Sequence, residues 1–403
     1  MLLIGVDQSQ KKHDMCIMDE AGQQLARLST AHNVQGFERL HDQCQTLQAP
    51  PSECFVALES AHNLLVDYLL DNGYTVYVVP GKSVDRYRDR HRQGSSYSDK
   101  SDAAVLAQVL RTDRHLYTPL EADRPLTRQI RSQVKLVMDL KRSVVRFGNQ
   151  LRALLWRYYP VAAELFSGLD QQIALHFIQT YPTPQAAQDL TQSEFTAFCR
   201  AHQYRRSDLI ARRYAQLISA QTHASTQVAA AYASQAQALA RILLVLVKER
   251  NLAQKTLSRS FEQHPDAHIY ASLPGAGEFL APALLSKFRD CRTRLPKAAV
   301  AQAIAGTSPV TMESGKKRRV RFRLACDREF RYIATQFARS SVRQSPWAAA
   351  YFATVRPRYD KQSPAYRCLA NRWMAIIWRL WTDRVEYDEA VHLRNRHTGR
   401  RTS

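Results

Sequence analysis

The chain has 403 residues, too many for one ordinary core, and 45% of them are apolar, enough to fold as two domains with connecting elements. Lys and Arg number 57 against 36 Asp and Glu, a formal charge of +21. An excess of that size points to a polyanionic partner, because each cation laid on a phosphate releases condensed counterions.

The same charge would suit a membrane surface. The longest apolar run, residues 242–247, stops at Lys248, however, well short of the ~18–20 uncharged residues of a spanning helix. The opening MLLIGVDQSQKKHD carries its charges after the apolar run rather than before it, unlike a signal peptide. Seven scattered cysteines without a CxxC pair argue against a zinc site or a disulfide framework and suit a reducing cytoplasm.

In chain order, residues 2–6 form a short apolar strand closed by Asp7. Residues 15–18 and 24–29 predict two further strands around the turn at 19–22, followed by a helix over 37–44. Residues 55–58 predict a buried strand ending at Glu59, residues 64–70 an amphipathic helix, and residues 74–79 a strand closed by Pro80 and Gly81. The polar, basic stretch 86–97 reads as a mobile loop, and a helix starts near Ser98 and runs through Leu110. Three successive strands followed by helix–strand units is the order of an α/β RNase H-like sheet, here over residues 1–120.

From 126 to 159 the period changes. Ile130, Val134, Val137, Leu140, Val144, Phe147, Leu151, Leu154 and Tyr158 recur every three or four residues, the mark of one long, coiled-coil-like helix. Leu239, Leu243, Leu246, Ala253, Leu257 and Phe261 mark a second stripe over 230–262, with short helices broken by Pro182 and Pro184 between the two. Helix-pair packing is the simpler reading of both stripes. The predicted helical linker and oligomerisation region is 121–264, and a mainly α C-terminal domain occupies 265–403.

Four carboxylates stand out by position. Asp7 closes the first strand, Glu59 closes the fourth, and Asp99 and Asp102, spaced i and i+3, share a face at the start of a helix. In an RNase H-like sheet the first and fourth strands are neighbours and the last helix packs over them, so the four acids can converge. Converging carboxylates need cations, and hard oxygen ligands select Mg²⁺ or Mn²⁺. Two such ions, ~3.5–4 Å apart, suit in-line phosphoryl displacement. Singly, each residue has a plain alternative: Asp99 as a charge favoured at a helix N-terminus, Glu59 as a surface residue at a strand end.

The segments VDQSQKKHD, ALESAHN, VVPGKSVDRYRDR and SDKSDAAVLAQVL resemble the N-terminal domain of the DEDD insertion-sequence transposases. The resemblance implies a RuvC-like domain whose Mg²⁺-binding tetrad corresponds to Asp7, Glu59, Asp99 and Asp102, with Ser98 and Lys100 standing where the family motif has Thr and Arg.

Towards the C-terminus, the Leu273–Gly277 segment LPGAG is a tight turn feeding a helix, helix-hairpin-helix-like, where Gly275 and Gly277 would expose backbone N–H groups to phosphate. Ser314 stands before Gly315 and a run of cations that includes Lys316, Lys317, Arg318, Arg319, Arg321 and Arg323. From the residues alone this is a turn before a basic strand. AIAGTSPVTMESGK, however, resembles the family segment in which a serine before glycine is the nucleophile, so the resemblance implies that role for Ser314, with Ser308 and Thr311 as neighbouring hydroxyls. The segment LANRWMAIIWRLWTDRVEYDEA resembles the family's terminal helix. Its Trp373, Trp378 and Trp381 read as core first and as nucleic-acid stacking second.

The resemblance covers roughly residues 1–120 and 265–390. It implies RNA-guided DNA recombination: a noncoding bridge RNA pairs with donor and target DNA, and strand transfer passes through a phosphoserine. It also implies a composite site in a homo-oligomer, dimer to tetramer; no membrane partner is expected. The rival readings are a junction nuclease that uses metal-activated water, and a non-catalytic nucleic-acid-binding protein.

Overall fold

The computed structural model describes residues 1–61, 63–91, 99–220, 225–314 and 317–391. The chain divides into two compact units, Met1–Arg124 with Asp290–Pro296, and Pro125–Arg289 with Lys297–Ser403.

The first unit is built on a mixed five-stranded sheet. Its strands are β1 (Leu2–Gln8), β2 (Lys12–Met18), β3 (Gln24–Ala31), β4 (Cys54–Leu58) and β5 (Thr75–Val78), in the order β3-β2-β1-β4-β5. β1 pairs antiparallel with β2 and parallel with β4, and β5 runs parallel to β4. Alternation along the strands separates two cores. Ile4, Val6, Val56 and Leu58 pack with α1 (Val34–Thr46) and α2 (Leu64–Asp71). Leu3 and Ala57 pack on the opposite face with α3 (Gly81–His91) and α4 (Asp99–Asp113). Asn33 and Asn63 start α1 and α2, their side-chain oxygens accepting the Gly36 and Val66 amides at 2.8 and 3.0 Å.

Residues 86–91, expected as loop, are instead helical, as part of α3. Val84 is fully buried and Tyr87 packs against the same cluster. Two apolar anchors one turn apart therefore hold a helix whose other positions are polar, a stripe too narrow to register as periodicity. The rest of the expected loop, 92–97, lies outside the described residues.

In the second unit the two predicted stripes form α5 (Pro125–Tyr158) and α10 (Thr226–Glu262), which pack against each other. Between them lie α6 (Pro160–Glu164), α7 (Gln172–Thr180), α8 (Gln192–Ala201) and α9 (Ser207–Ser219), with Pro182 and Pro184 in the α7–α8 connection. Val144, Leu151, Leu155, Ala236, Ala240 and Leu243 share one buried cluster, so much of the apolar stripe is covered by the chain itself. What α5 leaves exposed is a different set, Leu136, Val145 and Trp156.

By length and composition, the stretch Gln227–Glu262 of α10 would suffice to cross a membrane. No run of ~18–20 uncharged residues lies within it, as the sequence indicates, and the helix packs along α5. The alanine-rich first half adds apolar length beyond residues 242–247, although Arg241, Lys248, Glu249 and Arg250 lie within the helix.

The same unit continues with α11 (Ala267–Ala271), α12 (Gly277–Phe288) and α13 (Ala298–Ile304), then an antiparallel hairpin of β6 (Val310–Ser314) and β7 (Lys317–Arg321). It closes with α14 (Arg328–Ser341), α15 (Pro346–Val355) and α16 (Gln362–Asp383). Trp373 and Trp381 are fully buried, their indole N–H groups donating to Ser341 Oγ at 2.8 Å and to the Arg289 carbonyl at 2.9 Å, while Trp378 is half-buried. Trp373 and Trp381 fill the core, as first expected, while Trp378 is only partly covered.

Candidate active site

The end of β1 and the end of β4 lie side by side. Their parallel register pairs Val6 with Leu58, so Asp7 and Glu59 are the next residues on adjacent strands. Alternation places both on the side of the sheet that carries α4. Leu3 and Gly5 face α4 from β1, as Ala57 does from β4, and Asp7 and Glu59 follow two residues later in each strand.

α4 runs antiparallel to both strands. Arg114, just past its end, reaches back to the strand starts: its guanidinium donates to Met1 Sδ at 2.9 Å and lies 4.4 Å from the Phe55 ring centroid. At the other end, Ala103 sits directly over Gly5, where an added Cβ would come 1.9 Å from the Ala103 carbonyl oxygen and 2.5 Å from the Ala107 amide. Gly5 is therefore what allows α4 onto the sheet. The first turn of α4, with Asp99 and Asp102, consequently lies towards the strand ends that carry Asp7 and Glu59. Asp102 is half-buried, and the Asp99 side chain lies outside the described residues. Among the described residues, no three carboxylate, imidazole or thiolate side chains gather tightly enough to hold an ion.

Asp7 and Glu59 line one cleft of about 530 Å³ together with Gln8, Ser9, Gln10, His32, Ser60 and Asn63. Gln8 ties its two walls, accepting the Ser60 amide through Oε1 at 3.1 Å. On the β2–β3 side a second pair of groups meets. His13 Nε2 and His32 Nδ1 are 2.7 Å apart, with His13 fully buried against Phe37 and His32 at the cleft wall. Burial and the neighbouring His32 imidazole lower the His13 pKa. Sequence reasoning missed this pair. The two residues are far apart in sequence, and only the β2–β3 register brings them together.

The C-terminal candidates belong to the second unit. Gly275 (φ +78°) and Gly277 (φ +55°) adopt backbone that favours glycine, and a Cβ on Gly275 would sit 2.9 Å from the Ser340 backbone. α12 starts at Gly277 without a side-chain cap, but Glu278 in its first turn already places a carboxylate there. Ser314 is the last residue of β6 and pairs with Lys317 of β7. The side chains of Ser314, Lys317 and Arg318, and all of Gly315 and Lys316, lie outside the described residues. Arg319 and Arg321 are exposed on β7. Arg323 instead turns inward, donating to the Ser308 and Pro309 carbonyls at 3.3 and 3.5 Å. The Phe322 ring beside it has the Arg331 and Arg367 guanidiniums at 4.4 and 4.1 Å from its centroid.

Comparison with known proteins bears on both regions. A DEDD transposase family model of the IS110 type matches residues 4–160, and a model described as transposase IS116/IS110/IS902 family matches residues 267–353. The chain is 30% identical to the mini-circle putative transposase for IS117 of Streptomyces coelicolor, over 96% of its own length and 95% of that protein. It is 25% identical to an uncharacterized 42 kDa protein of insertion element IS900 from Mycobacterium paratuberculosis, across 96% and 97% of the two chains. It is 24% identical to an uncharacterized 43.6 kDa protein of insertion element IS110 from S. coelicolor, across 80% and 79%. With a mixed α/β sheet at its N-terminus and a mostly helical remainder, the chain belongs to the DEDD transposases of the IS110/IS116/IS902 family, enzymes that process DNA during transposition.

Proposed function

We propose that this transposase cleaves DNA at the carboxyl edge of an RNase H-like (RuvC-like) sheet and transfers strands through a phosphoserine on Ser314. The observation that carries the first half is the adjacency of Asp7 and Glu59 across β1 and β4, in one cleft, with the first turn of α4 directed towards them. The strand order β3-β2-β1-β4-β5 supports the RNase H-like reading.

Asp7, Glu59, Asp102 and Asp99 offer carboxylate oxygens only, a donor set that fits Mg²⁺ or Mn²⁺ rather than a softer ion. When bound, such an ion supplies Lewis-acid stabilisation of the charge on the phosphate oxygens. Asp7 and Glu59 are held by strand pairing, and Asp102 by α4 seated on Gly5, so the acids are presented with little freedom to reorganise.

In the transfer step the Ser314 hydroxyl oxygen bonds to phosphorus, the phosphorus–oxygen bond to the departing strand breaks, and the hydroxyl proton passes to the departing oxygen. A strand hydroxyl then attacks the phosphoserine and restores Ser314. The exposed Arg319 and Arg321 on β7 suit a DNA backbone running along the hairpin. Donor and target DNA are brought together on a noncoding bridge RNA, and a homo-oligomer of two to four copies supplies the carboxylates and the serine from different protomers.

The test uses a supercoiled plasmid carrying this coding sequence with its native flanking DNA. Asp7→Asn or chelation of divalent metal abolishes cleavage. Ser314→Ala keeps DNA binding but loses strand transfer and the denaturant-resistant protein–DNA adduct. Undiminished transfer by Ser314→Ala would overturn the phosphoserine, and full cleavage in excess chelator would overturn the metal site.

A further inference from the structure

We infer that His32 is a fixed hydrogen-bond donor to a backbone phosphate of the nucleic-acid strand lying in the Asp7–Glu59 cleft, with His13 as the buried positioning residue that sets its tautomer. The inference rests on the proposed carboxylate site and adds a substrate contact to it. Three observations support it.

The first is place. His32 follows β3 and lines the same cleft as Asp7 and Glu59, while its Nδ1 lies 2.7 Å from His13 Nε2. With Nδ1 engaged there, Nε2 is the ring nitrogen of His32 left for a ligand.

The second is the surroundings of His13. The ring is fully buried on β2, opposite Gln8 and Thr30, and packs against Phe37 of α1. Its Nδ1 is enclosed with no hydrogen-bond partner. A buried N–H without an acceptor is more costly than a buried lone pair, so the His13 proton belongs on Nε2. There it donates to His32 Nδ1. An Nδ1 that accepts cannot carry a proton, so a neutral His32 must hold its own proton on Nε2. This is the logic by which an outer partner selects an imidazole tautomer. Burial and the adjacent His32 imidazole favour the neutral form of His13, with the Asp14 charge opposing them.

The third is the chemistry of the cleft. Apart from the two carboxylates, it is lined by the uncharged side chains of Gln8, Ser9, Gln10, Ser60 and Asn63, and by the imidazole of His32. A phosphodiester entering beside carboxylate-bound cations still has an oxygen facing away from them, and a fixed N–H fits that oxygen.

The test uses isosteres. The amide nitrogen of Gln reaches the position of imidazole Nε2, and that of Asn only the position of Nδ1. On the plasmid substrate, His32→Gln should keep cleavage within a few-fold of wild type, whereas His32→Asn should lose roughly ten- to hundredfold, the range for a hydrogen bond to a charged group. Independently of activity, ¹⁵N spectra of histidine-labelled protein should show His32 as the Nε2–H tautomer, and His13→Leu should convert it to a mixture.

An Nδ1–H tautomer of His32 in the wild type, equal losses in the Gln and Asn variants, or a fully active His32→Asn beside an inactive Asp7→Asn would each overturn the inference and leave the carboxylate site standing. A fully active Asp7→Asn would remove the carboxylate site and the His32 contact together.

Discussion

Gly5→Ala tests the seating of α4 with a single methyl group. The added Cβ would lie 1.9 Å from the Ala103 carbonyl oxygen, 2.5 Å from the Ala107 amide and 2.9 Å from Leu106 Cβ, against an ordinary contact of 3.4–4 Å. Two of the three obstacles are backbone, so no rotamer change relieves them, and α4 must retreat from β1 by about 1.5 Å. Overpacking of this kind costs about 1–3 kcal/mol, more than the roughly 0.5–1 kcal/mol that alanine gains over glycine within a strand. The catalytic consequence is of comparable size, because α4 carries Asp99 and Asp102, and a ~1 Å misplacement of reacting groups can cost about 10²-fold in rate. Urea unfolding and cleavage of the flanked plasmid should therefore both report the change: a lower midpoint, and cleavage reduced about a hundredfold while the sheet is still folded at low denaturant. Gly5→Ala that matches the wild type in midpoint and cleavage would refute the close seating of α4 and the convergence of acids built on it.

Lys287→Met should destabilise the second unit by about 1–3 kcal/mol, since its ammonium donates to Asp327 at 2.9 Å and to Glu329 at 3.3 Å. Burial raises both carboxyl pKa values, but Lys287 and the other hydrogen bonds outweigh it and leave them depressed. Depressed carboxylates stabilise above their unfolded pKa and lose that contribution as pH falls through the folded one, so the wild-type advantage in urea midpoint should be full at neutral pH and shrink below about pH 4. With a charge of +21, duplex affinity should fall with salt at a log–log slope near −0.9 per phosphate neutralised, and Arg319→Ala with Arg321→Ala should flatten it by about one for each phosphate no longer neutralised; affinity that is flat with salt would count against a polyanion partner. Leu151→Asp buries a charge in the α5–α10 core and should unfold the second unit, whereas Val145→Asp on the exposed face should shift stability by no more than about 0.5 kcal/mol yet block strand transfer if that face joins two copies. Sedimentation and unfolding measured together separate the two effects.

The sequence by itself determined the strands of the first unit and its helices apart from α3, because burial on a sheet imposes period two and burial on a helix imposes a period near 3.6, and both survive in the order of apolar residues. It also determined that Asp7 and Glu59 lie at the ends of neighbouring strands, although β1 continues one residue past Asp7, and that 126–159 is essentially one long helix. It could not say what the long stripe packs against. A stripe looks the same whether its partner is another copy or α10 of the same chain, and tertiary packing put α10 there. α3 escaped notice because two apolar anchors, Val84 and Tyr87, make no periodic pattern. The His13–His32 contact and the seating of α4 on Gly5 are properties of strand register and of distances between elements remote in sequence. Local pattern encodes which face a side chain takes; which remote partner meets that face is decided only when the sheet closes, and that closure assembles the cleft.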